Sequence, residues 1–105
     1  IIIKDNFLDA NAGSVLAKGS WKKLELINLN FNTLGDLGLK NLQTHPWRLL
    51  KELHLLKNNI GNEGAIALVS MINPQLQKLF LSHNYITDDG CKILAKGQWK
   101  HLKTL

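Results

Sequence analysis

The sequence predicts an α/β solenoid, a right-handed stack of short strand–helix repeats with a parallel sheet on the concave face and α-helices on the convex face. Two observations predict it. Asn6, Asn32, Asn58 and Asn84 stand 26 residues apart without an insertion or deletion. The same apolar frame surrounds them: Leu24, Ile27, Leu29 and Leu34 about Asn32, then Leu50, Leu53, Leu55 and Ile60 about Asn58. Leu76, Leu79, Leu81 and Ile86 repeat it about Asn84. A fixed period of this length means that each repeat buries its apolar face only against its neighbours.

Each strand is predicted from a short alternation: Ile27-x-Leu29, Leu53-x-Leu55 and Leu79-x-Leu81. Ile1, Ile3 and Leu8 supply a truncated copy before them, and Leu102 and Leu105 begin another after them. A helix separates successive strands, so the strands should pair in parallel through right-handed crossovers. The helices follow from Leu16, Leu42, Leu68 and Leu94, each ten residues past its asparagine, with Leu39, Ala65 and Cys91 three residues earlier. That i, i+3 face packs back on the strand leucines, which makes Cys91 an expected buried and inert thiol. Asp9 and Thr87 are good N-cap types, and Gly35 and Gly61 hold the same position. Trp21, Trp47 and Trp99 share one position and are expected to cover the core edge where helix returns to strand.

The asparagines have a backbone role to fill. The turn leaving each strand would bury amides without a sheet partner. A side-chain amide, being both donor and acceptor, can bridge its own turn to the adjacent one, and stacked repeats then form a ladder. Asn6, Asn32, Asn58 and Asn84 are its predicted rungs.

The pattern L-x-x-L-x-L-x-x-N-x-L, with Gly38, Gly64 and Gly90 six residues past the asparagines, resembles the leucine-rich repeat family over the whole chain. The repeat length is similar to that of its ribonuclease-inhibitor-like subtype. The resemblance implies one domain over residues 1–105 of about four repeats, expected to be an excerpt of a longer array lacking its caps. It also implies an intracellular protein-binding module. GTPase activators of the Ran-activator type share the architecture and form an alternative, as does a purely architectural segment of a large assembly.

A net charge of +5 raises nucleic acid as a partner. The placement of the charges argues against it. Asp9, Asp36, Glu63, Asp88 and Asp89 fall where helices start, while Lys18, Lys96, Lys22, Arg48 and Lys100 fall toward their ends, as the helix dipole favours. No basic stripe is interleaved with aromatics as base stacking requires. A single cysteine excludes an internal disulfide, and no apolar run reaches the ~18–20 residues of a membrane span. A cytoplasmic setting is expected.

Catalytic chemistry finds no support. His45, His54, His83 and His101 occupy four different repeat positions, so no metal set stacks. Gly61-Asn62-Glu63-Gly64 lacks the Lys and Ser/Thr of a phosphate loop. Arg48 is the sole arginine, the residue type that GTPase activation often uses. No metal, cofactor or catalytic residue is expected.

Function is therefore sought on the outward strand positions, which alternate with the buried ones and line the concave face. Asn28, His54 and Phe80 form one row, Asn30, Leu56 and Ser82 a second, and Phe31, Lys57 and His83 a third. Lys78 and Tyr85 complete the candidate set. Apolar and aromatic groups where the fold needs none, set beside His54, Lys57, Lys78 and His83, suit a partner protein or peptide of acidic character. Open parallel edges at uncapped ends would also invite self-association.

Overall fold

A computed structural model describes residues 9–18, 24–45, 47–71 and 75–97. The elements alternate along the chain: α1 (Ala10–Ala17), β1 (Leu26–Asn28), α2 (Gly35–Leu42), β2 (Glu52–His54), α3 (Asn62–Met71), β3 (Lys78–Phe80) and α4 (Asp88–Ala95). The strands lie in the order β1-β2-β3, all parallel. Their register advances by one repeat, pairing Leu26 with Glu52 and Lys78, Ile27 with Leu53 and Leu79, and Asn28 with His54 and Phe80. Consecutive helices pack side by side on the opposite layer.

The core lies between the two layers. Ile27, Leu53 and Leu79 point into it from the strand centres, and Leu29 and Leu55 from just beyond them. Leu39, Leu42, Ala65 and Leu68 meet them from the helices, with Leu16 and Leu94 toward the outer helices. Leu34 and Ile60 close one side of this layer and Leu50 and Leu76 the other. The i, i+3 helix face is thus the packed one. Trp47 is buried, and its indole Nε1 donates to the Leu42 carbonyl at 2.9 Å, which seals the edge where α2 returns toward β2. Trp21 and Trp99 lie outside the described residues, as do Asn6, Ile1, Ile3, Leu102 and Leu105.

Two of the repeated asparagines, Asn58 and Asn84, bridge consecutive turns. Asn58, fully buried, donates to Leu29 O of the preceding repeat at 2.9 Å and to its own Leu56 O at 3.1 Å. Its Oδ1 accepts from the Leu34 amide at 3.4 Å. Asn84 repeats the arrangement one repeat later: it donates to Leu55 O at 2.8 Å and accepts from the amides of Asn58 and Ile60 at 2.8 and 3.0 Å. Asn32 donates to Leu29 O at 2.8 Å. Asn58 and Asn84 thus each satisfy turn groups of two repeats at once.

A second ladder runs along the helix starts. The carboxylate of Asp36 accepts from the Gly61 amide of the next repeat at 2.6 Å. One repeat on, Asn62 accepts from the Thr87 amide at 3.0 Å and donates to the Thr87 hydroxyl at 2.8 Å. The repeated glycine makes room for it. A Cβ on Gly64 would come within 2.7 Å of the Asp36 carboxylate, and one on Gly90 would collide with the Asn62 side chain. The helix starts therefore approach closely because a polar side chain of one repeat lies over a glycine of the next. Backbones meet where α1 crosses α2, since a Cβ on Gly13 would strike the Gly38 carbonyl.

Three expectations are corrected. Cys91 is exposed rather than buried, because among the described residues no helix packs on the far side of α4 to cover it. Thr87 occupies the N-cap position of α4 but makes no side-chain cap, its hydroxyl being engaged by Asn62, whereas Asp9 does cap α1 by accepting from the Asn11 amide at 3.0 Å. Arg48 stands in a turn well beyond the end of α2, out of reach of a dipole effect confined to the last helical turn. Acidic first turns do match the dipole: Asp36 in α2, Glu63 in α3, and Asp88 and Asp89 in α4.

Candidate protein-binding face

The outward strand residues fall into rows set by the parallel register. Leu26, Glu52 and Lys78 form the first, and Asn28, His54 and Phe80 the second; all six are half-buried. Glu52 is the residue that the sequence reading left out of the candidate set. Its carboxylate lies 3.1 Å from His54 Nε2 on the same strand and 3.5 Å from Lys78 Nζ across it. The hydrogen bond from His54 foremost, and Lys78 beside it, hold the Glu52 carboxyl below the ordinary carboxylate range. The His54 ring in turn stacks on Phe80, centroids 4.5 Å apart and planes tilted by 40°. Four side chains from two adjacent strands are thus locked to one another, and two of the expected basic groups already face an acid. Opposite charges in neighbouring positions of one row, here Glu52 and Lys78, were the available signal.

Beyond the strands the next row has mixed roles. The Asn30 side-chain oxygen accepts from the Leu56 amide at 2.8 Å, which extends the ladder past β1 and β2. The Asn28 side chain accepts from the Asn30 amide at 3.1 Å. Both asparagines are therefore partly committed to shaping the chain, while Leu56 is half-buried and Ser82 exposed.

At the strand exits the chain turns through left-handed backbone. Phe31, Lys57 and His83, one per repeat and at the same position, have φ of 60°, 54° and 59°. Their amides are fixed where they can be: Phe31 N donates to Leu56 O at 2.8 Å and Lys57 N to Ser82 O at 3.1 Å. Left-handed φ is uncommon for side-chain-bearing residues and least so for asparagine. Here it turns all three side chains outward, and each is exposed. Tyr85, 70% exposed, stands just beyond. A shallow cavity of about 290 Å³ is lined by Leu81, His83, Ile86, Cys91 and Leu94 among others. Among the described residues no group of three or more His, Cys, Asp or Glu is placed to hold a metal ion.

Comparison with known proteins decides the family. A sequence profile described as Leucine Rich repeat matches residues 22–42, 48–69 and 73–95, one repeat each. The chain belongs to the leucine-rich repeat family. The strand, the asparagine rung and the helix of each matched leucine-rich repeat coincide with the elements described above. A human relative, "NACHT, LRR and PYD domains-containing protein 14", is 37% identical over 79 residues, covering 70% of this chain. That match spans 7% of the relative's length. No described helix of this leucine-rich repeat chain is long and apolar enough to cross a membrane.

Proposed function

We propose that this leucine-rich repeat chain is a protein–protein interaction module, binding a partner protein or peptide through the concave sheet face and its adjoining rim. One observation carries the reading. The inward positions of successive strands are uniformly Ile or Leu, whereas the outward ones paired in register change from Leu26 to Glu52 to Lys78 and from Asn28 to His54 to Phe80. The fold constrains the first set and leaves the second free, so the variation is available to encode a partner. The relative's repeats belong to a multidomain protein by its name, which fits a binding role within a larger chain. A cytoplasmic setting, in keeping with the single unpaired cysteine, completes the reading.

The test is a paired substitution. Phe80→Ala with Leu56→Ala should reduce capture of a cognate partner while the melting temperature stays within a few degrees, since both are half-buried and outside the core cluster. Capture that survives these changes but is lost with Lys18→Gln and Lys96→Gln would move the interface to the convex side.

A further inference from the structure

Resting on that reading of the face, we propose that it selects a carboxylate-bearing peptide segment, and that this segment docks on the strand-exit rim with Lys57 as the charge contact. Phe31 and Tyr85 supply apolar ground on either side. The middle of the sheet is not where the acid binds.

Charge pairing separates the two regions. Of the basic side chains facing outward, Lys78 and His54 both lie against Glu52, and His54 is further held by Phe80. An incoming carboxylate there would meet the Glu52 carboxylate as well as Lys78 and His54. Lys57 and His83 stand in the rim row, exposed, and among the described residues neither is in an ion pair. The Lys57 ammonium is open to a partner, with the His83 ring beside it.

The backbone of the rim points the same way. Glycine, or asparagine with its local hydrogen bonding, suits a φ near +60°. The chain places asparagine at the very next position in every repeat, and at the left-handed position before it stand Phe31, Lys57 and His83, with Asn59 left-handed as well in the second repeat. Such outliers are held only where the surrounding structure imposes them, and they cluster at ligand-contacting positions. Neighbouring parallel strands lie about 4.8 Å apart, so Phe31, Lys57 and His83 form a short ridge at about that spacing.

Apolar contact accompanies the charge. Phe31 is 43% exposed and Tyr85 70%, whereas the ring of Phe80 is covered on one side by His54. An aromatic or aliphatic residue next to an Asp or Glu in the partner would reach ring and ammonium together. The excess of positive charge over the chain, +5, steers such a segment in.

The experiment uses the full 105-residue chain and fluorescein-labelled peptides of mixed Asp/Glu and Phe/Leu, with a matched set carrying Asn/Gln in place of the acids. Fluorescence anisotropy should show the acidic set binding about two- to fivefold more tightly than the amide set, the scale of one accessible charge contact. Lys57→Gln should remove most of that preference and Lys78→Gln should not. Phe31→Ala should weaken both peptide sets about equally. Equal binding of acidic and amide peptides would overturn the acid preference and leave protein binding standing. Loss with Lys78→Gln but not Lys57→Gln would overturn the rim placement alone. No binding of either set overturns the proposal, while the Phe80/Leu56 partner capture remains the separate test of the interaction face. Competition by oligothymidylate as effective as by acidic peptide would overturn the peptide reading in favour of a general polyanion surface.

Discussion

A buried asparagine amide has two donors and one acceptor oxygen to satisfy, and Asn58 shows how the fold uses them. It bonds to Leu29 O and Leu56 O and receives the Leu34 amide, so truncation orphans groups in two repeats at once. Asn58→Ala should lower stability by about 1–3 kcal/mol in chemical denaturation. An unchanged midpoint would reduce the ladder to a packing accident. Lys57 presents the opposite case, a residue that the fold would exchange. Its left-handed φ of 54° costs about 1–3 kcal/mol with a side chain present, of which glycine returns part in its own unfolded-state entropy. Lys57→Gly is therefore expected to stabilise the chain by about 0.5–1 kcal/mol while weakening any acidic ligand. A Lys57→Gly variant that is destabilised would show the left-handed turn to be unstrained.

At the level of elements, helices and strands are joined by polar contacts of different kinds. The helix starts are tied by Asp36 over Gly64 and Asn62 over Gly90, so Asn62→Ala should cost about 1 kcal/mol through the lost bonds to Thr87. Gly90→Ala should cost more than that, because the added methyl displaces the same Asn62 side chain and meets Ile86. Thermal melts of the two variants order them. On the sheet, β2 and β3 are joined outside the core by Glu52. Its carboxyl is depressed by the hydrogen bond from His54 and by Lys78, so its contribution is present above the ordinary value of 4.5 and is lost as pH falls through the folded value. The melting temperature of Glu52→Gln should lie below that of the parent chain near neutrality, by an amount worth at most about 1 kcal/mol, and the two should converge in acid. A gap that persists at low pH would assign the effect to packing.

Over the whole molecule, protection should be graded. Repeats flanked on both sides bury their equivalents fully: Leu29 and Leu55, Leu39 and Ala65, and Asn58 are at 0% exposure. The matching Leu81, Cys91 and Asn84 are half-buried or exposed. Stability in such a stack is a sum over neighbouring interfaces, so amide exchange should be slowest in β2 and α2–α3 and faster in the outer described helices, α1 and α4. Uniform exchange across the four helices would mean a single cooperative unit instead.

How much of this was readable beforehand differs with the residue. The register pairing Ile27 with Leu53 and Leu79 is the 26-residue period restated, and Trp47 sits at the core edge as its position implied. Cys91 differs from its expected burial because repeat position fixes which way a side chain points, while among the described residues no neighbour packs over it. Glu52 stands outside the candidate set because apolar and basic side chains are what mark an outward row in the sequence. The pairing with His54 and Lys78 needs the lateral contact between strands.

The chain's own spacing determined the α/β solenoid, the parallel sheet, the leucine core and the asparagine rungs, because a strict period makes every repeat solve the same burial problem in the same way. Only the tertiary structure decided that Asp36 and Asn62 lie over the glycines of the next repeat, that Glu52 neutralises the sheet centre, and that Phe31, Lys57 and His83 turn outward through left-handed backbone. Those outcomes depend on distances between different repeats and on the sign of a dihedral, neither of which the order of residues along one repeat contains.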